Sequence, residues 1–148
     1  MSEEKGPFSI NEPAVTRTIL VVEDDDDIGD FITLAITGET SYLAMLVKDA
    51  FQALRRIRTK KPDLIILDYR LPGMNGIQLY EHLRAHKELA DIPIILISAD
   101  VPEYEVRKHH LTLVHKPFDL DKLLNTIDRM ISQPVNIADY RTGDMKRA

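Results

Sequence analysis

Four short apolar stretches of this chain end in residues that can handle charge. Thr18-Ile-Leu-Val-Val22 runs into Glu23 and Asp24, and Leu64-Ile-Ile-Leu67 into Asp68. Ile92-Pro-Ile-Ile-Leu-Ile97 runs into Ser98, and Leu111 to Val114 into His115 and Lys116. If these stretches are parallel strands, Glu23, Asp24, Asp68, Ser98 and Lys116 meet on one rim, where open α/β sheets bind their ligands. Bare carboxylates brought together repel, so one protonates or a cation is held. Oxygen donors with no Cys or His beside them suit a hard ion, Mg2+ with Mn2+ as a substitute. A carboxylate beside such an ion can attack phosphorus and form an acyl phosphate. Lys116 and the Ser98 hydroxyl could then hold the phosphoryl oxygens as charge spreads over them. Each residue alone has a plainer reading. The run Glu23 to Asp27 also fits a helix N-terminus, with Asp26 and Asp27 as caps, and Asp68 fits a turn. Their shared place at successive strand ends favours a site.

The elements that must position these groups follow from apolar spacing. Residues 1–17 read as a flexible N-terminal arm. From Asp26 to Thr37, Ile28, Phe31, Ile32, Ala35 and Ile36 recur at helical spacing, with Gly38 as the stop. Tyr42 to Val47 predicts a second strand. Asp49 to Thr59 predicts a helix with Ala50, Ala53, Leu54 and Ile57 on one face. The breakers in Leu71-Pro-Gly-Met-Asn-Gly76 mark a turn before a helix carrying Ile77, Tyr80 and Leu83. Asp119 opens a last helix with the stripe Leu120, Leu123, Leu124, Ile127 and Ile131. Alternating strands and helices with short links predict a doubly wound α/β fold, a parallel sheet of five strands covered on both faces.

Val21-Val-Glu-Asp-Asp25, Leu67-Asp-Tyr-Arg-Leu-Pro-Gly-Met-Asn-Gly76, Ile97-Ser-Ala99 and Lys116-Pro-Phe118 together resemble the signatures of response-regulator receiver domains, in the family's order. The resemblance covers residues 18–132, read as the receiver, and leaves 133–148 as a polar C-terminal tail with no output domain. It implies a flavodoxin-like sheet in the order 2-1-3-4-5. It implies that Asp68 is the phosphoacceptor, supplied by a histidine kinase, a phosphotransfer protein or a small acyl phosphate. Asp24 and Asp68 would ligate Mg2+ with the backbone carbonyl of Arg70, and Glu23 directly or through water. Ser98 and Lys116 would bind the phosphoryl group, and Pro117 would be a cis proline. A two-component, phosphorelay switch of this kind catalyses its own phosphorylation and slow dephosphorylation, and is not otherwise an enzyme.

The chain departs from the family pattern in two places. Receivers carry Tyr or Phe as a rotating switch side chain three residues before the active-site Lys, and Leu113 stands there instead. The stretch from Ser98 to Lys116 is several residues short, and Pro102 and His109-His110 leave room for about two helical turns near Glu103 to His109. A shortened or irregular fourth helix is therefore expected, and dimerisation through that face is disfavoured. Arg70 and Asp100, each two residues beyond a site residue, can either lean over the pocket and pair or stand as two solvated surface charges, and the sequence favours neither.

Composition bounds the remaining classes. The 148 residues are 44% apolar and 29% charged, with net charge −5 and no Cys. That excludes disulfides and thiolate chemistry, and a mildly acidic domain has no general attraction for nucleic acid. No apolar run reaches the roughly 18 residues a membrane span needs. The basic stretch Arg55 to Lys61 reads as a solvated helix face, and His109, His110 and His115 make no zinc pattern, since adjacent residues do not share a helix face and no carboxylate completes one. A cytoplasmic monomer or weak dimer is expected, signalling by docking to a downstream protein. Two alternatives stand beside it. One is a degenerate receiver acting as a constitutive interaction module. The other, an aspartate-nucleophile phosphatase, lacks the second acid because position 70 is Arg.

Overall fold

The computed structural model describes residues 16–132. The arm expected over 1–17 lies almost wholly outside the described residues, and the tail over 133–148 entirely so. Five strands and five helices alternate among the described residues. They are β1 (Thr18–Val22), α1 (Asp26–Glu39), β2 (Leu43–Val47), α2 (Ala50–Thr59), β3 (Leu64–Asp68), α3 (Gly76–Ala85), β4 (Ile94–Ser98), α4 (Glu103–His109), β5 (Thr112–His115) and α5 (Leu120–Ser132). The sheet order is β2-β1-β3-β4-β5, with every neighbouring pair parallel. The doubly wound reading and the strand order both hold.

Strand alternation explains why the central strands are apolar without interruption. In β1, Ile19 and Val21 face one side, with Ile32 and Ile36 of α1 and Leu123 and Ile127 of α5. Leu20 and Val22 face the other side, with Ala53 and Ile57 of α2 and Ile77 and Leu83 of α3. All of β3 and β4 is buried, so both faces must be apolar until the chain emerges at Asp68 and Ser98. β2, at the sheet's edge, is only partly covered, and Leu43 and Met45 are exposed.

Several local expectations need correction. Asp25, rather than Asp26 or Asp27, caps α1, and its side chain accepts from the Ile28 N–H at 3.0 Å. Asp26 and Asp27 occupy the first turn, where their charge meets the positive end of the helix dipole. Gly38 does not stop α1, which continues to Glu39. Thr40 closes it, its N–H and hydroxyl both donating to the Ile36 carbonyl. Phe31 is half exposed rather than core, its ring 6.3 Å from that of Phe118. Of the α5 stripe, Leu123 and Ile127 are buried, while Leu120, Leu124 and Ile131 are partly so. β4 begins at Ile94 and not at Ile92, past the proline that cannot donate to a ladder.

The fourth helix is short, as expected. α4 spans 7 residues, none buried. Its N-cap is Pro102, which supplies no side-chain hydrogen bond, and it ends at His110 in the left-handed region (φ 54°).

Candidate functional site

The parallel register carries β1, β3, β4 and β5 to the same edge. The Tyr69 N–H donates to the Ile97 carbonyl and the Lys116 N–H to the Ser98 carbonyl, each at 3.0 Å, which locks the loops that follow. The turn after β3 is fixed just as firmly. Gly73 adopts a positive φ of 76°, and Asn75 and Gln78 form a reciprocal capping box that starts α3. Gly76 packs directly on the backbone beneath the site. A Cβ there would lie 2.5 Å from the Asp68 carbonyl oxygen and 2.9 Å from the Tyr69 Cα. Only glycine lets the helix start sit this close.

On this frame Glu23, Asp24 and Asp68 each offer a carboxylate oxygen within 4.8 Å of the other two. Glu23 and Asp68 are buried and Asp24 is exposed, so the cluster opens to solvent on one side. The Lys116 ammonium lies 3.1 Å from Asp68 and 3.4 Å from Glu23. One cation thus faces two buried acids. Burial, with the neighbouring Asp68, pushes the Glu23 carboxyl up to about 7. Burial would lower Lys116, but Asp68 and Glu23 outweigh it and hold the ammonium above the ordinary lysine value. The donor set is all oxygen, over-supplied with negative charge and reachable from solvent. It fits a small hard divalent ion.

Ser98 is buried. Its hydroxyl oxygen accepts from the N–H groups of Asp100 (2.9 Å) and Val101 (2.8 Å) and donates to the Asp100 carboxylate at 3.3 Å. The Arg70 N–H donates to Asp68 Oδ1 at 3.2 Å, while its side chain turns away to Asp100. There Nε donates to Oδ2 at 2.7 Å and a terminal nitrogen makes a second, shorter contact. The Arg70 guanidinium holds Asp100 below the usual carboxylate range. The Lys116–Pro117 bond is cis. Leu113, on β5, is partly buried against the core shared with α2 and α3.

Residues 19–128 match the sequence model of the response regulator receiver domain. The chain belongs to the response-regulator receiver family. Among curated relatives, this receiver is 38% identical over 90 residues to the DNA-binding response regulator MtrA of Mycolicibacterium smegmatis, covering 61% of this chain and 38% of MtrA. It is 39% identical over 85 residues to the phosphate regulon regulator PhoB of Pseudomonas aeruginosa, covering 57% of this chain and 37% of PhoB. The match thus spans well under half the length of these relatives. Among solved structures, a response regulator receiver protein from Pseudomonas putida superposes with a TM-score of 0.72 at 25% identity, over 80% of this chain and all of that one. The chemotaxis response regulator CheY4 of Vibrio cholerae shares the fold, with a TM-score of 0.71 at 23% identity over 78% of this chain and 98% of its own. The receiver family is a family of signalling switches in two-component systems. No helix among the described residues is long and apolar enough to cross a membrane.

Sequence reasoning missed one group away from the rim, at the far end of α4. His109, considered only as a zinc ligand and set aside, packs against Tyr80 of α3, beside Glu81 of α3 and Glu105 of its own helix. The helical spacing of Glu105 and His109 was the only signal available beforehand.

Proposed function

We propose that this receiver accepts a phosphoryl group on Asp68 in a Mg2+-dependent reaction. The observation that carries the reading is the Lys116 ammonium shared between the buried Asp68 and Glu23, with Asp24 at the open side. Glu23, Asp24 and Asp68 would hold the ion with the Arg70 backbone carbonyl. When bound, Mg2+ or Mn2+ would offset the charge of the acids and of the incoming phosphoryl oxygens. An Asp68 oxygen attacks phosphorus, and the bond from phosphorus to the donor breaks. The leaving group, an imidazole of a histidine kinase or phosphotransfer protein or the carboxylate of an acyl phosphate, departs with the electron pair. Lys116 stays near enough to pair with a new phosphoryl oxygen. The Ser98 hydroxyl turns from Asp100 to donate to another. Later attack by water restores the carboxylate and releases phosphate. Intact mass after treatment with acetyl phosphate and Mg2+ tests this: the parent gains one phosphoryl group and Asp68→Asn gains none.

The Arg70–Asp100 pair borders the same mouth. It supports a strap that limits water, and Arg70→Ala is then expected to speed dephosphorylation several-fold without altering fold stability, since both side chains are exposed. An unchanged rate of phosphate release ends this part of the reading.

Signalling would follow in the cytoplasm through docking to a downstream protein, by a monomer or weak dimer, without direct nucleic-acid contact. Leu113 and the short α4 favour a second reading, a receiver that binds its partner constitutively. Beryllofluoride with Mg2+ separates the two. A switch shifts the amide resonances of β4, α4 and β5, whereas a constitutive module leaves them in place.

A further inference from the structure

Far along α4, a histidine sits in surroundings that the phosphoryl chemistry does not use. His109 ends the helix, and its ring stands edge-on to that of Tyr80 on α3, with centroids 5.4 Å apart at 61°. The Tyr80 hydroxyl donates to the His109 carbonyl at 3.1 Å. Nε2 of His109 lies 3.1 Å from a Glu81 oxygen on α3 and 3.6 Å from a Glu105 oxygen one turn earlier on α4. Nε2 is buried and has no hydrogen-bond partner, because the Glu81 oxygen is within ion-pair reach but off the donor line. Left unprotonated, it would face two carboxylates with a lone pair; protonated, it is attracted to both.

The other charged groups nearby are cations. On α3, the Arg84 guanidinium lies 4.8 Å from the Tyr80 ring centre. On α4, Arg107 and Lys108 precede His109, with Arg107 drawn off to Glu103 at 2.9 Å, and His110 follows it. The two carboxylates flank Nε2 rather than converge with it. Among the described residues, only the acids at the rim bring three metal-type ligand atoms within 4.8 Å of one another. That is the geometry of a held proton, not of a second ion. α4 has little else to seat it, since it buries no residue of its own and its start lacks a side-chain cap.

We propose that protonated His109 is a clasp fastening α4 to α3 through Glu81, with Glu105 of its own helix steadying the charged ring, so that the seating of α4 follows pH. Imidazole is the side chain that ordinarily changes charge between about pH 5 and 8. The clasp closes when the ring gains a proton and opens when it loses it; Glu23 at the rim is held at about 7, so the α4 signal is read against the ring resonance and not against pH alone.

The chain contains no Trp, so Tyr104→Trp at an exposed position of α4 gives a fluorophore reporting on that helix alone. Its anisotropy is followed from about pH 5 to 8.5 in the full chain, beside the His109 ring-proton resonance, which reads the proton itself. The expected result is a single transition to lower anisotropy at high pH, with the midpoint of the ring titration. In His109→Gln, and in Glu81→Gln combined with Glu105→Gln, the trace is flat at the high-pH level. Glu81→Gln alone also flattens the trace, Glu81 being the acid of the two that lies on α3, and carries the test if the double variant does not fold. A transition that persists at full amplitude in any folded variant, or a flat parent trace while His109 titrates, overturns the clasp.

Discussion

Beyond β4 the chain passes through two regions built on opposite terms. Along β4 itself everything is buried, and the chain leaves it at Ser98 into a rim where two buried acids, an ammonium and locked loops face one another. Past Val101 the chain enters α4, which buries nothing and is fastened mainly at its C-terminal end. Chemistry that must place oxygen atoms to within fractions of an ångström is mounted on the rigid part. The element free to move is the one with few buried contacts. On the proposed function, a shortened α4 would change what the receiver transmits without disturbing phosphoryl acceptance at Asp68.

The comparison is broken most severely at Gly76. Gly76→Ala forces a methyl against the Asp68 carbonyl and the Tyr69 backbone, and neither can yield as a flexible side chain would. A loss of about 3 kcal/mol in urea unfolding is expected, with phosphorylation falling alongside. A loss below about 0.5 kcal/mol contradicts the rigid-rim description.

A smaller effect comes from the rim acids themselves. Glu23 is held at about 7 against an ordinary 4.5 by burial and by Asp68. A folded-state value above the unfolded one means that protonation favours folding. This group's contribution is complete below about 4.5 and is lost as pH rises through about 7. The metal-free chain is expected to lose that increment of stability across this window. Mg2+, which needs the ionised carboxylate, is expected to add most stability at the upper end. Urea midpoints with and without MgCl2 at several pH values check it, and a Mg2+ increment independent of pH contradicts it.

The smallest effect is expected on α4. Pro102→Ser supplies the missing cap hydroxyl and should stabilise the helix by about 0.5 kcal/mol or less, read by hydrogen exchange of α4 amides, while phosphorylation stays unchanged. A change in phosphorylation rate would show that the two regions are not separable in this way.

Much of the rim was legible in the sequence, because a doubly buried strand must be apolar until it surfaces and its first polar residue is then conspicuous. Asp68 and Ser98 announce themselves in this way. The Arg70–Asp100 pair was legible only as one of two readings, beside two solvated surface charges, both residues lying just beyond strand ends. The end of α1 was not. Gly38 reads as a stop, but one residue from the terminus it costs little, and the space around it is open. Asp25 is hidden as the cap because five acids stand in a row, and only the backbone decides which one precedes the first turn. The Glu81–His109–Glu105 group joins two helices whose relative placement no periodicity encodes.

The central claim is that the gathered acids and Lys116 make Asp68, and no other residue, the acceptor. The most direct measurement is to treat the chain with acetyl phosphate and Mg2+, trap the acyl phosphate by borohydride reduction, and map the modified residue by fragment mass. The modification is predicted on Asp68 alone and only when Mg2+ is present. Modification of Asp24 or Asp63 instead, or labelling of Asp68 that survives removal of divalent ions undiminished, would contradict it.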